Sequence, residues 1–171
     1  MFAELIGEKH NAAEFECGRN LFCLEIKDYS REKRAEYGCT WCCTDFSIVS
    51  EQWLNYGQKN AEVLTAEEVD DLSEILGQLL SGKLRQPEKI GFIEPDFFLN
   101  LYPNQENQSE PSAEWKIYFW DKEKELTANH LSLIFGRREI EALWIYLKIV
   151  RGKLSQKDAA AQKLIQKKIL L

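Results

Sequence analysis

The chain has 171 residues, 44% of them hydrophobic and 12% aromatic, and a formal net charge of -6. That is the size of one domain with a single good core, and it excludes global disorder and a second full domain. The charge is unevenly spread: residues 1–130 hold 25 acidic and 13 basic side chains, while residues 131–171 hold 3 and 9.

An acidic body repels nucleic acid and anionic membrane and favours cationic partners, including basic proteins; solubility is the plainer reading of the same charge. Glu4, Glu8 and Lys9 interrupt any signal-like apolar run after Met1, and runs such as Leu143–Leu147 are too short to span a bilayer. A cytosolic protein is therefore expected. Five cysteines, three of them within Cys39–Cys43, fit a reducing compartment better than a disulfide framework.

Taken in order, Phe2–Ile6 and Ala13–Cys17 read as the arms of an N-terminal hairpin or as edge strands. Leu21–Lys27 alternates cleanly, with Phe22, Leu24 and Ile26 on one face. Asp28–Gly38 carries almost nothing for a core and reads as a solvated loop. Cys39–Val49 is a long strand rich in Thr, Trp, Phe, Ile and Val; Phe46 and Ile48 set its core face, which Thr40, Cys42 and Thr44 share by parity. Glu51–Leu64 reads as a loop with Gly57 as its turn.

The clearest helix follows. Thr65 and Glu68 form a capping box, Val69, Leu72, Leu76, Leu79 and Leu80 form an apolar stripe, and Gly82 is the stop. Its outer face is acidic, with Glu67, Glu68, Asp70, Asp71 and Glu74. Next, Ile90, Phe92 and Ile93 precede a Glu94-Pro95-Asp96 break, after which Phe97, Leu99 and Leu101 alternate with Phe98, Asn100 and Tyr102. Pro95 marks the corner between two strands.

Pro103–Ala113 is polar and reads as a mobile loop. Trp115, Ile117 and Phe119 then alternate with Lys116, Tyr118 and Trp120. Asp121–Asn129 turns, and Leu131, Leu133 and Phe135 mark another strand. Arg137–Arg151 is a second amphipathic helix, and Ser155 with Asp158 opens a basic last helix carrying Lys157, Lys163, Lys167 and Lys168.

Catalytic and metal patterns are sparse. Cys39 and Cys42 have zinc-like C-x-x-C spacing, yet an unbroken strand throws them to opposite faces and sets Cys39 and Cys43 roughly 13 Å apart. Cys17 and Cys23, with His10 nearby, make an irregularly spaced second pair, so small buried strand residues are the simpler reading. His10 and His130 sit in no catalytic signature, and no phosphate-cradling glycine loop occurs. Glu94 and Asp96 could be a carboxylate pair for acid-base work, although carboxylates at a bend are commonly turn formers or a rim of negative charge.

Parity gives one sharper expectation. If Phe97, Leu99, Leu101, Trp115, Ile117 and Phe119 face the core, then Phe98, Tyr102, Tyr118 and Trp120 form an aromatic surface on the other side. A second layer, such as the helix from Arg137, would hide it. Left open and rimmed by Glu94 and Asp96, it suits a protein partner.

The order of features resembles a known family: a strand ending at Phe46 and Ile48, the segment LTAEEVDDL over Leu64–Leu72, then GFIEPDFFLNLY over Gly91–Tyr102. It is similar to the wall-associated-protein type of immunity protein, which bacteria make alongside a polymorphic contact-dependent toxin. There too a capped helix precedes an F-x-E-P strand pair. The similarity spans roughly residues 39–102, while the cysteine cluster and the last helix depart from it. It implies a non-enzymatic cytosolic α+β protein that binds and blocks its strain's toxin domain, often a basic nuclease, with no cofactor and no catalytic residue carried over.

The expectation is one α+β domain over residues 1–171: a mostly antiparallel sheet of six to eight strands, two main helices, and a basic helix over 154–171 that packs loosely. Glu67, Glu68, Asp70, Asp71 and Glu74 would steer a toxin partner. Glu94 and Asp96 would rim the anchors Phe98, Tyr102, Tyr118 and Trp120. The competing reading is a small metal- or ligand-binding domain, with or without enzymatic activity, built on the Cys39–Cys43 cluster or an aromatic pocket.

Overall fold

A computed structural model describes residues 12–30, 40–51, 53–104 and 110–171. The strand expected over Phe2–Ile6, His10, Cys39 and parts of three expected loops lie outside the described residues.

The chain is α+β, but among the described residues its strands form two antiparallel sheets of four rather than one sheet. The first contains β1 (Ala12–Cys17), β2 (Asn20–Lys27), β3 (Trp41–Ser50) and β4 (Leu54–Thr65) in sequential order. After α1 (Ala66–Leu80), the second contains β5 (Glu88–Gly91), β6 (Phe97–Tyr102), β7 (Ser112–Trp120) and β8 (Leu126–Phe135). Two further helices follow, α2 (Arg137–Val150) and α3 (Ala159–Gln166). Alternation shows which face of a strand is buried; it does not show which strand pairs with which.

The residues expected to form a loop before the first helix are β4. Its alternation is weak because the half-buried side carries the polar Gln58 and two register shifts against β3 break the period, while Asn55, Gly57, Lys59 and Glu62 are exposed. Gly57 is no turn: a Cβ there would lie 2.6 Å from the Phe46 carbonyl oxygen, so the absent side chain permits close strand pairing.

The core lies between the two sheets. Phe22, Leu24, Phe46 and Ile48 of the first face Phe97, Leu99, Trp115 and Ile117 of the second, all nearly or fully buried. Trp115 is central, its ring 5.3 Å from Phe22 and 5.4 Å from Phe97. Such tilted aromatic contacts add to the stabilisation from apolar burial.

Helix α1 begins as expected. The Thr65 hydroxyl accepts from Glu68 N–H at 3.2 Å, and Glu68 returns the bond to Thr65 N–H at 2.8 Å. Helix α2 packs against α1 and against β1, β7 and β8, so it bridges the sheets. The helices approach closely where Gly77 meets Trp144; a Cβ on Gly77 would lie 3.1 Å from the indole nitrogen. The Tyr146 hydroxyl accepts from Ile26 N–H at 2.7 Å, just past the last β1–β2 pair among the described residues.

The last helix starts later than Ser155. Ser155 N–H donates to the Asp158 carboxylate in a preceding turn, and α3 begins at Ala159. Ala161, Leu164 and Leu170 are buried. Beyond α3 the chain lies against β1, with Glu14 N–H donating to Ile169 C=O at 2.8 Å and Leu171 N–H to Ala12 C=O at 2.9 Å.

Candidate functional site

The outer face of the second sheet follows from the pairing register. Phe98 stands opposite Lys116, Tyr102 opposite Ser112, and Tyr118 opposite His130. Each of Phe98, Tyr102 and Tyr118 is partly buried. Because the Tyr146 hydroxyl reaches β2, α2 lies on the side of the second sheet that faces the first and does not cover this outer face.

Glu114 organises the middle of this face. It accepts from Asn100 at 2.8 Å and from Ser132 at 2.7 Å, with the Lys116 ammonium 3.8 Å away. Burial works to raise its carboxyl, but Ser132, Asn100, Lys116 and His130 together hold it below the usual range. Tyr118 and His130 pack ring to ring at 4.9 Å. Ile134, opposite Glu114, is 62% exposed. The sequence marks it as an apolar residue out of phase with Leu133 and Phe135.

Trp120 does not join this surface. The register breaks between Tyr118 and Trp120, where Thr127, Ala128 and Asn129 of β8 stand against Phe119 alone, so parity cannot be carried past the break. Its indole N–H donates instead to Asp96 at 2.7 Å. Asp96 is no rim residue: it is 2% exposed, and the oxygen that holds Trp120 also accepts from Gln58 of β4 at 2.8 Å. Burial pushes its carboxyl above the usual range, against the opposing effect of the Trp120 and Gln58 donors. Asp96 thus fastens the two sheets together. Glu94 remains on the surface bend, beside Ile93, which is 61% exposed.

The acidic face of α1 divides in two. Glu67 accepts from Thr40 N–H at 3.2 Å, and Glu68 accepts from Ile93 N–H at 2.6 Å in addition to capping its helix. Asp70 accepts from the Tyr29 hydroxyl at 2.7 Å and pairs with Arg151. These three bind the helix to its surroundings. Asp71 and Glu74 are exposed.

Cys42 is buried on the core face and Cys43 lies on the outer one, the alternation a strand imposes. Burial pushes the Cys42 thiol up to about 12, which disfavours the thiolate needed for attack or metal binding. Among the described residues no three His, Cys, Asp or Glu side chains are placed to hold a metal ion, and no helix is long and apolar enough to cross a membrane.

Comparison with protein families, curated proteins and solved structures finds no match to this chain.

Proposed function

We propose that the chain is a non-enzymatic immunity protein, similar to the wall-associated-protein type, that acts in the cytosol by binding and blocking a basic toxin domain made alongside it. The observation that carries this reading is the outer face of the second sheet, which α2 does not cover. There Phe98, Tyr102 and Tyr118 surround a polar centre at Glu114, the mixture of aromatic area and satisfied polar groups that suits a protein interface.

Two further features support it. The capped helix and the Phe92–Asp96 bend, which carry the family resemblance, are tied by the Glu68 to Ile93 hydrogen bond. Asp71 and Glu74 on that helix, with the net charge of -6, favour fast capture of a cationic partner.

The test is co-expression in a laboratory bacterium with the C-terminal domain of the toxin encoded beside this gene. Growth rescued by the wild-type chain and lost with Phe98→Ala/Tyr118→Ala supports the reading. The absence of any neighbouring toxin, or no rescue by the wild-type chain, overturns it.

A further inference from the structure

The outer edge of the first sheet is only half closed. Ala12 and Glu14 turn backbone groups away from β2 to bond the C-terminal tail, and by ladder alternation Glu16 turns its N–H and C=O the same way. The tail goes no further. Ile169 N–H is already taken by Leu164 C=O at 2.9 Å, and Lys168, with φ of 57°, swings the chain into α3. Among the described residues no backbone hydrogen bond reaches Glu16 from this side.

These open groups face a groove of about 1060 Å³ between β1, α2 and α3. Its floor is apolar, made by Phe15, Ala142, Ile145 and Leu164, each no more than 8% exposed. Glu14 and Glu16 stand along the β1 wall, Arg138, Glu139 and Glu141 along α2, and Lys163 of α3 with Lys167 and Lys168 just past its end along the third side.

We propose that this groove binds an extended peptide as an added strand on β1, with basic residues alternating with small apolar ones. An open strand edge needs partners for its N–H and C=O groups, and an extended segment supplies them in register. On an added strand alternate side chains point to opposite faces. One set lies over the apolar floor on the side of Phe15; the other stands beside Glu14 and Glu16, where cross-strand neighbours of opposite charge are favourable. Around the groove as a whole acidic and basic side chains balance, but Glu14 and Glu16 are the charged residues on β1 itself, the cross-strand neighbours of an added strand, and they set the preferred sign at those positions. The groove lies on the first sheet, away from the face assigned to the toxin, and the proposal does not rest on that assignment.

The test uses the full chain and a fluorescein-labelled Lys-Val-Lys-Val-Lys-Val peptide, read by anisotropy. Two N-methylated forms, one on the lysine amides and one on the valine amides, keep the charge while each removes the donors along one edge of the strand. Saturable binding is expected, weakened about tenfold by one methylation set and not by the other, since only one edge meets β1. Ala160→Trp, at an exposed groove position, and a Glu-for-Lys peptide should weaken it comparably. Absence of saturable binding overturns the proposal. So does equal sensitivity to both methylation sets, or indifference to Ala160→Trp in a variant that melts like the wild type.

Discussion

One carboxylate oxygen of Asp96 holds the Trp120 indole N–H at 2.7 Å and the Gln58 amide at 2.8 Å, so a single buried atom joins β4 of the first sheet to β7 of the second. The Tyr56 hydroxyl strengthens the same junction, accepting from Gln58 at 3.1 Å and packing its ring on Phe119 at 4.9 Å. A charge placed there opposes folding even as its hydrogen bonds support it.

Asp96→Asn therefore stabilises the protein at neutral pH, because an amide oxygen can keep both bonds without the buried charge. The sign follows from linkage: a carboxyl raised in the folded state binds more protons folded than unfolded. Stability from this group is greatest at acid pH and is lost as pH rises from the unfolded value through the folded one. The advantage of the asparagine variant should shrink as pH falls into the carboxylate range, as followed by denaturant melts. Asp96→Ala strands two donors and should cost about 1–3 kcal/mol.

Tyr146→Phe removes the acceptor of Ile26 N–H and leaves a buried donor unpaired. A loss of about 1–3 kcal/mol is expected in chemical denaturation, with faster hydrogen exchange at the Ile26 amide. Unchanged exchange there would show that the hydroxyl closes nothing.

The acidic helix face should separate into two behaviours. Asp70→Ala removes the acceptor of Tyr29 and the partner of Arg151 and should lower stability by about 1–3 kcal/mol. Asp71→Lys with Glu74→Lys changes only exposed positions and should leave stability within about 0.5 kcal/mol. It should nevertheless slow association with a basic partner and flatten the salt dependence, as stopped-flow binding would show.

Gly57→Ala drives a Cβ to 2.6 Å from the Phe46 carbonyl oxygen. Backbone has little room to yield, so a cost of about 1–3 kcal/mol is expected from thermal melts.

Much of this fold was legible in the sequence where one face of an element is buried and the other wet. The parity of Phe22, Leu24 and Ile26, the core face shared by Cys42, Thr44, Phe46 and Ile48, and the Thr65–Glu68 box all follow local periodicity. β4 was hidden because Asn55, Lys59 and Asn60 give it the composition of a loop, and because Gly57 signals a turn in most settings. The division into two sheets was hidden because pairing depends on contacts distant in sequence. For the candidate site, Phe98, Tyr102 and Tyr118 obey alternation and fall on the expected face. Trp120 escapes it through a β-bulge, and Asp96 turns inward to a glutamine 38 residues away, which no local pattern encodes.

The most direct measurement is capture by the purified chain from lysate of its source organism, at low and then moderate salt. Wild type, Phe98→Ala/Tyr118→Ala and Asp71→Lys/Glu74→Lys are compared, and bound proteins are identified by mass. The account predicts one dominant basic toxin domain at near-equal stoichiometry, held by the wild type at low salt and released as salt rises, lost from Phe98→Ala/Tyr118→Ala, and captured more weakly with a flatter salt dependence by Asp71→Lys/Glu74→Lys. A bait that recovers no toxin domain, or variants that hold it as tightly as the wild type, would contradict the assignment of this face and helix to toxin binding.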